Sequence, residues 1–244
     1  MKTTKIQIAG LNISVSHTFD FFKNLSENYL TDAKICDFSV CVDQKDIEFE
    51  RQITLKEQGA RQANQRDEYF ESTAIYRKIA QKLPEYQAFV FHGSAVAVEN
   101  EAVIFAAKSG TGKSTHTRLW LQNIPDSFVV NGDKPIIRII GKTPTVCGTP
   151  WNGKEQWGTN KNIPLRAICL LERNDTNSIE KIPFGQAAAN MILQTYCSNS
   201  QEILSKTLRI IKTVGEHISF YRLRCNTNAD AAVTAYREIF RDKL

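Results

Sequence analysis

The sequence predicts an α/β fold: a mixed β-sheet with helices on both faces, preceded by a β-rich N-terminal appendage. Two apolar runs are separated only by Glu99-Asn100-Glu101. A crossover between parallel strands needs a dozen or more residues, so these runs must form an antiparallel hairpin. The second run enters a glycine-rich loop and then a helix-compatible segment, and further apolar stripes at helical spacing follow toward the C-terminus. A strand–loop–helix unit joined to a hairpin predicts a sheet with both strand directions.

Composition is consistent with a globular protein of ordinary size. The chain has 244 residues, 42% of them hydrophobic, and a formal net charge of +5. This supplies a sizeable core, and the charge is too small and dispersed to favour nucleic-acid binding. The N-terminus lacks a signal-peptide core and no apolar run could span a membrane, so we expect a cytoplasmic protein without a membrane partner. The six cysteines form no CxxC pair, which indicates unpaired, buried thiols in a reducing compartment.

We place a domain boundary between a β-rich region, residues 1–67, and a second region, residues 68–244, and the two regions could form one compact unit. Alternating apolar residues predict strands within 6–15, 36–42 and 47–55. The polar stretch 56–67 predicts a mobile loop or linker.

The second region alternates predicted helices and strands. Apolar periodicity predicts helices over 68–83, after the glycine-rich loop, over 186–196, over 200–216 and from 230 onward. It predicts strands within 128–140, a central strand at 167–171 and a strand at 220–225. Residues 148–162 are rich in glycine, asparagine and tryptophan and predict a long loop.

The glycine-rich loop, residues 107–114 with the sequence AKSGTGKS, fits the phosphate-binding pattern G-x-x-x-x-G-K-[ST] except that Ala107 replaces the first glycine. Glycines let successive N–H groups point at phosphate oxygens, and the helix that follows adds its positive end. We expect Lys113 to reach the β- and γ-phosphates of ATP and the Ser114 hydroxyl to hold Mg²⁺. A purely structural glycine-rich turn is the alternative. The predicted nucleotide-binding residues are Ser109, Gly110, Thr111, Gly112, Lys113, Ser114 and Thr115.

Hairpin pairing predicts that His92 lies beside this loop. If the turn centres near Asn100, residues whose numbers sum to about 200 face each other, which sets His92 opposite about Lys108. His92 could be a ligand of a second metal ion, a donor to the γ-phosphate or a partner that tunes a base. A buried histidine bonded to the backbone is the structural alternative.

The stretch FHGSAVAVENEAVIFAAKSGTGKST, together with VVNGDK at 129–134, resembles the HPr kinase/phosphorylase and PEP carboxykinase superfamily. In that superfamily a histidine-bearing strand pairs with the strand that enters a loop such as SGTGKS, and an acidic motif of the type G-D-D or A-D-D follows a later strand. Asp133 matches the first acid, whereas Lys134 stands where the second is expected. The resemblance is best over residues 90–140.

The resemblance implies an ATP-dependent kinase that transfers the γ-phosphate to a serine or other hydroxyl of a peptide, protein or small molecule. Lys113, Asp133 and His92 are the implied catalytic residues, and Ser114, Asp133 and His92 the implied ligands of Mg²⁺ or Mn²⁺. An ordinary turn aspartate is the alternative for Asp133. Lys134 in place of an acid also fits a nucleotide-binding regulatory module with little turnover. A PEP carboxykinase-like enzyme acting on a small carboxylate is a third possibility, and a homo-oligomer is left open.

The predicted loop 148–162 suggests a further contribution to the site. It carries Trp151, Lys154, Glu155 and Trp157, and loops of this length are usually functional or disordered. We expect either a substrate-covering loop with Lys154 and Glu155 near the phosphate, or a packed structural loop. Arg138 is either a clamp on a substrate oxygen or an exposed residue at a strand end.

Two further positions receive little weight. The pair Glu172-Arg173, after the predicted central strand, is a weaker candidate for the site. His116, early in the helix after the loop, is expected to face solvent.

Overall fold

A computed structural model describes residues 1–108 and 110–243 of the protein. The chain divides into two compact units, Met1–Lys82 (unit 1) and Leu83–Leu244 (unit 2). Our predicted boundary lay at residue 67/68, and the helix that starts there belongs to unit 1.

Unit 1 combines a small sheet with helices. Its elements in chain order are β1 (Lys2–Ile8), β2 (Leu11–His17), α1 (Phe21–Leu25), β3 (Phe38–Cys41), α2 (Gln44–Gln58), α3 (Ala60–Ala63) and α4 (Asp67–Lys82). β2 lies between β1, which is antiparallel to it, and β3, which is parallel to it. The strands predicted within 6–15 and 36–42 are therefore confirmed, and the predicted helix over 68–83 corresponds to α4.

The predicted strand over 47–55 is wrong, because α2 occupies these residues. The Asp43 carboxylate accepts hydrogen bonds from the backbone N–H groups of Lys45 and Asp46, and the Asp46 carboxylate accepts one from the N–H of Asp43. This capping box starts a helix, and Ile47 and Thr54, seven residues apart, are buried on one face. Helices also cover most of the predicted linker 56–67, so the N-terminal region is less β-rich than expected.

Unit 2 contains the mixed sheet. Its elements are β4 (Ala88–Val90), β5 (Ser94–Val98), β6 (Glu101–Ala106), α5 (Lys113–Asn123), β7 (Phe128–Asn131), β8 (Ile136–Ile140), β9 (Thr143–Cys147), β10 (Asn162–Arg173), β11 (Ser178–Ile182), α6 (Phe184–Gln194), α7 (Gln201–His217), β12 (Ser219–Cys225) and α8 (Asp230–Ile239). The main strand order is β4-β8-β9-β10-β6-β5-β7, with β12 paired to β10 and β11 to β12. β10 is parallel to β6 and β12, whereas the other pairings are antiparallel. A mixed sheet with a central strand at 167–171 is thereby confirmed.

The hairpin of β5 and β6 also has the predicted geometry. Pairing runs from Ser94 opposite Phe105 to Val98 opposite Glu101, so paired residue numbers sum to 199. Glu99 and Asn100 form the two-residue turn with φ values of 53° and 64°. A type I′ turn requires positive φ at both central residues, and its backbone twist matches that of the two strands it joins.

Helices cover both faces of the sheet. Alternate strand residues point to opposite faces. Val96 of β5 belongs to a buried cluster with Trp120 of α5 and Ala235 of α8. Its neighbour Ala97 belongs to a second cluster that includes Met191 of α6. The predicted arrangement of helices on the two faces is confirmed.

Two bulk expectations can be compared with the structure. Within residues 1–108 and 110–243, none of the helices combines the length and the apolar character that crossing a membrane requires. All six cysteines are among the described residues and none is in a disulfide, but only Cys147 and Cys169 are buried.

Candidate functional site

The glycine-rich loop connects β6 to α5 and uses backbone conformations that favour glycine. Gly110 and Gly112 have φ values of 77° and 124°. α5 begins at Lys113, so the unpaired N–H groups of its first turn adjoin the loop. Ala107 is not among the described residues with positive φ, which explains why alanine is tolerated there. Ser109, a predicted nucleotide contact, lies outside the described residues.

The Lys113 side chain folds back over this loop. Its Nζ donates a hydrogen bond to the carbonyl oxygen of Ala107 at 3.1 Å. Burial lowers the pKa of Lys113, and the nearby Asp133 carboxylate opposes that shift. The ammonium group thus lies at the loop and within electrostatic range of Asp133.

Arg173 tethers the loop from the end of β10. Its Nε donates to the carbonyl oxygen of Thr111 at 3.0 Å, and a terminal guanidinium nitrogen donates to the carbonyl of Gly110. The pairing of β10 beside β6 brings Arg173 to the loop, although the two lie about sixty residues apart in sequence. The sequence makes Glu172-Arg173 a weak candidate for the site, but it does not predict this contact with the loop.

Asp133 and His92 are neighbours in space. The hairpin register predicts that His92 lies beside the glycine-rich loop, and His92 lines the same cavity as Gly110 and Gly112 of that loop. Nε2 of His92 lies 3.4 Å from Oδ1 of Asp133. His92 is not the buried, backbone-bonded histidine of the structural alternative, because its side chain is 37% exposed. Burial alone would raise the pKa of Asp133, but the His92 hydrogen bond and the charges of Lys134, His92 and Lys113 together lower it below its ordinary value. Asp133 is therefore held as a carboxylate.

Asn131, the last residue of β7, sets the turn that presents Asp133. Its Oδ1 accepts hydrogen bonds from the backbone N–H groups of Asp133 at 2.9 Å and Lys134 at 2.7 Å. Its Nδ2 donates to both the carbonyl oxygen and the hydroxyl of Thr149, each at 3.0 Å. The Asn-Gly-Asp-Lys sequence is typical of a turn, which agrees with the two hydrogen bonds that Oδ1 of Asn131 accepts. The two hydrogen bonds that its Nδ2 donates depend on Thr149, which is distant in sequence.

The loop between β9 and β10, residues 148–161, lies against the same turn. The N–H of Gly132 donates to the carbonyl of Trp157 at 2.9 Å, and the N–H of Thr159 donates to the carbonyl of Val130 at 3.1 Å. The guanidinium carbon of Arg118, on α5, lies 5.5 Å from the centre of the Trp157 ring. These contacts join the loop to both β7 and α5.

Lys113, His92 and Asp133 line one cavity of about 500 Å³, which we call the first cavity. Most of the predicted site residues line it, including Lys154 and Glu155 of the long loop. Its lining residues are His92, Gly110, Gly112, Lys113, Ser114, Thr115, Gly132, Asp133, Gly153, Lys154 and Glu155. Thr111 lines an adjoining cavity instead.

Arg138 is not among the described residues that line the first cavity. β8 carries it opposite Ala88 of β4, where its Nε donates to the carbonyl of Tyr86 at 3.2 Å. The structure therefore gives no support to the alternative in which Arg138 clamps a substrate oxygen in the first cavity, and its side chain is half-buried on β8, not fully exposed.

His116 does not face solvent, contrary to our expectation. Its side chain is buried on α5, with the ring edge-on to Phe105 at a centroid distance of 4.5 Å. Its Nε2 accepts a hydrogen bond from the indole N–H of Trp120 at 3.1 Å. Burial lowers the pKa of His116 to about 4, so the ring is neutral near pH 7.

The donor set fits a metal ion that is held largely by nucleotide phosphates. In the described part of the chain no group of three or more His, Cys, Asp or Glu residues could bind a metal ion by itself. Mg²⁺ is commonly held by one or two protein oxygens together with substrate phosphates and water. Ser114 and Asp133 offer such oxygens to the same cavity. His92 directs its Nε2 toward Asp133, and a nitrogen ligand suits Mg²⁺ less well.

Comparison with known protein families assigns the chain to one family. The family model described as SynChlorMet cassette protein ScmC matches residues 60–229, more than half of the chain. The chain belongs to the ScmC family. The ScmC match spans the glycine-rich loop, Asp133 and the loop 148–161, and its description names a cassette and no reaction. No curated protein matches this ScmC-family chain.

Proposed function

We propose that this protein is an ATP-dependent kinase that transfers the γ-phosphate to a hydroxyl group of a peptide, protein or small molecule. The observation that carries the proposal is that one cavity contains the glycine-rich loop, Lys113 and the Asp133–His92 pair. Phosphoryl transfer needs neutralisation of phosphate charge, alignment of the two reactants and an acceptor for the hydroxyl proton. The residues of the first cavity supply a candidate for each task.

Phosphate binding is assigned to the glycine-rich loop. Its N–H groups and the start of α5 favour an anion, and Lys113 can exchange its contact with the Ala107 carbonyl for phosphate oxygens. A Mg²⁺ ion held by Ser114 and the phosphates would neutralise charge that develops during transfer. The loop sequence and its glycine conformations support a phosphate-loop fold related to HPr kinases and PEP carboxykinases.

Proton transfer is assigned to Asp133. Its carboxylate takes the proton of the acceptor hydroxyl while that oxygen forms a bond to the γ-phosphorus. The bond from the γ-phosphorus to the β–γ bridging oxygen breaks, and ADP leaves with that oxygen. His92 orients the carboxylate from 3.4 Å away. The lowered pKa of Asp133 keeps the group ionised at neutral pH, and the same shift makes it a weaker base.

A nucleotide-binding regulatory module with little turnover is the second candidate. Lys134 occupies the position of the second acid in the resembling superfamily, and its charge acts on Asp133. A site with one carboxylate would hold a metal ion less firmly and transfer phosphate more slowly. Binding and turnover must therefore be measured separately.

Binding is tested by titrating the protein with Mg-ATP in a calorimeter. Lys113→Ala should weaken binding by at least about tenfold, because a charge-assisted contact to phosphate is worth about 1.5–3 kcal/mol. Lys142→Ala, on the exposed turn between β8 and β9, is the matched control and should bind as the parent does. Equal affinity in Lys113→Ala and the parent would contradict phosphate binding at the loop.

Turnover is tested by ³¹P NMR with Mg-ATP and a pool of serine- and threonine-containing peptides. Formation of phosphoester and ADP supports the kinase, and ATP binding without either product supports the regulatory module. Asp133→Asn should lower the rate by at least about 10²-fold while ATP still binds. Asp126→Asn, at an exposed turn, should leave the rate unchanged.

A further inference from the structure

A second cavity of about 510 Å³ adjoins the first at the start of α5. Gly112 and Thr115 line both cavities. The second cavity lies beyond the carboxyl ends of β10 and β12, two parallel neighbours whose following residues form its wall. Ligands of open α/β sheets bind in crevices at this end of parallel strands. The volume is also within the roughly 300–1,000 Å³ of small-molecule sites.

The wall of this cavity combines apolar and polar groups. Leu171 and Cys225, near the ends of β10 and β12, contribute apolar surface. The side chain of Asn226 is occupied by hydrogen bonds within the surrounding loops. In contrast, neither the Asp175 carboxylate nor the Thr227 hydroxyl has a hydrogen-bond or ion-pair partner within the described residues. The cavity therefore presents free polar groups beside an apolar surface.

His116 supplies an independent sign of a ligand. Since its Nε2 accepts from Trp120, the neutral ring carries its proton on Nδ1. This Nδ1 is buried and has no hydrogen-bond partner in the part of the chain that the structure describes. A buried donor without a partner costs about 1–3 kcal/mol, which an acceptor group of a bound ligand would offset. His116 belongs to the wall of the second cavity.

We propose that the second cavity binds the nucleoside part of the nucleotide whose phosphates occupy the glycine-rich loop. This inference rests on the proposed function and specifies where the base and ribose lie. Thr115, shared by the two cavities, marks the passage between the phosphates and the nucleoside. The Asp175 carboxylate accepts hydrogen bonds from ribose hydroxyls, and Leu171 and Cys225 pack against the base. These groups make the loops after β10 and β12 the determinants of nucleotide affinity beyond the phosphates.

The test compares two probes on the full chain by calorimetry: Mg-ATP, and Mg-tripolyphosphate, which has the phosphates without a nucleoside. Thr227→Trp fills the cavity and should weaken Mg-ATP by about tenfold or more. Asp175→Ala should weaken it by about three- to tenfold, the equivalent of one hydrogen bond. Both variants should bind Mg-tripolyphosphate within about twofold of the parent, which also demonstrates that they are folded. Asn228→Trp, an exposed neighbour outside the cavity wall, is the matched control and should retain both affinities.

The outcomes separate this inference from the proposed function. If the parent binds Mg-ATP no better than Mg-tripolyphosphate, or if Thr227→Trp weakens both equally or neither, the nucleoside does not occupy this cavity. In that case a Lys113→Ala variant that loses both probes would still support phosphate binding at the loop. If the parent binds neither probe, both proposals are overturned together.

Discussion

The Asn131 side-chain oxygen accepts a hydrogen bond from the backbone N–H of Asp133 at 2.9 Å. Asn131 is fully buried, and its amide nitrogen is in turn held by Thr149. Asn131 thus positions Asp133, the proposed base. Asn131 is not among the described residues that line the first cavity. Orientation of the carboxylate depends on the junction of β7 with the loop 148–161.

Replacing Asn131 with alanine should lower turnover more than nucleotide binding. The variant leaves the N–H groups of Asp133 and Lys134 without their acceptor, which we expect to cost about 1–3 kcal/mol of unfolding free energy. Phosphoester formation should fall by at least about tenfold, whereas Mg-ATP affinity should stay within about threefold, because the glycine-rich loop is unchanged. The control Asn123→Ala loses only a hydrogen bond to the Leu119 carbonyl and should keep its turnover. Full turnover in Asn131→Ala would contradict the positioning role.

Replacing Arg173 with alanine should weaken every ligand that uses the glycine-rich loop. The guanidinium group holds the carbonyl groups of Gly110 and Thr111, and each hydrogen bond contributes about 0.5–1.5 kcal/mol. We expect Mg-ATP and Mg-tripolyphosphate to lose roughly tenfold in affinity, measured by calorimetry, because both need the loop in its ordered conformation. Arg237→Ala, on the exposed face of α8, is the control for loss of a positive charge. A loss confined to Mg-ATP would show that Arg173 acts on the nucleoside and does not order the loop.

His116 should make the protein less stable as the pH falls from about 6.5 to about 4. Burial lowers its pKa to about 4 from an ordinary value of 6.5, so in this window the unfolded chain binds a proton that the folded protein does not. Stability therefore rises with pH across the window, by roughly 3 kcal/mol in total. Urea unfolding between pH 4.5 and 7.5 should show a smaller pH dependence in His116→Gln than in the parent. The exposed His217→Gln should retain the parental pH dependence, and an unchanged slope in His116→Gln would contradict this origin.

Gly148 should be far less tolerant of alanine than Gly185. A Cβ at Gly148 would lie 1.8 Å from the carbonyl oxygen of Thr159, so the loop 148–161 must move. We expect Gly148→Ala to lower the free energy of unfolding by about 1–3 kcal/mol, the usual cost of overpacking. Gly185, in the first turn of α6, has open space at this position, and Gly185→Ala should be neutral or stabilising by up to about 1 kcal/mol. Thermal unfolding of the two variants measures the difference, and similar midpoints would count against the close approach.

Much of unit 2 was predictable because its signals are local. The two-residue separation of β5 and β6 determines an antiparallel turn, and the period-two pairing then brings His92 toward the glycine-rich loop. The predicted strand over 47–55 was wrong because it also rested on a local pattern. The apolar residues there fit both the period of a strand and the period of a helix. The capping box at Asp43 was the sequence signal that decided between them.

By itself, the sequence determined the hairpin and the glycine-rich loop that carries Lys113, because turn length, glycine content and apolar period act over a few residues. Asp133 was indicated by the resemblance of residues 129–134 to the acidic motif of a known superfamily. Only the tertiary structure decided that Asn131 and Thr149 hold the Asp133 turn, that Arg173 tethers the loop, and that the buried His116 Nδ1 has no partner among residues 1–108 and 110–243. These contacts join residues on different strands and loops. Their existence depends on the strand order of the sheet, which brings distant segments together and which no local pattern of side chains specifies.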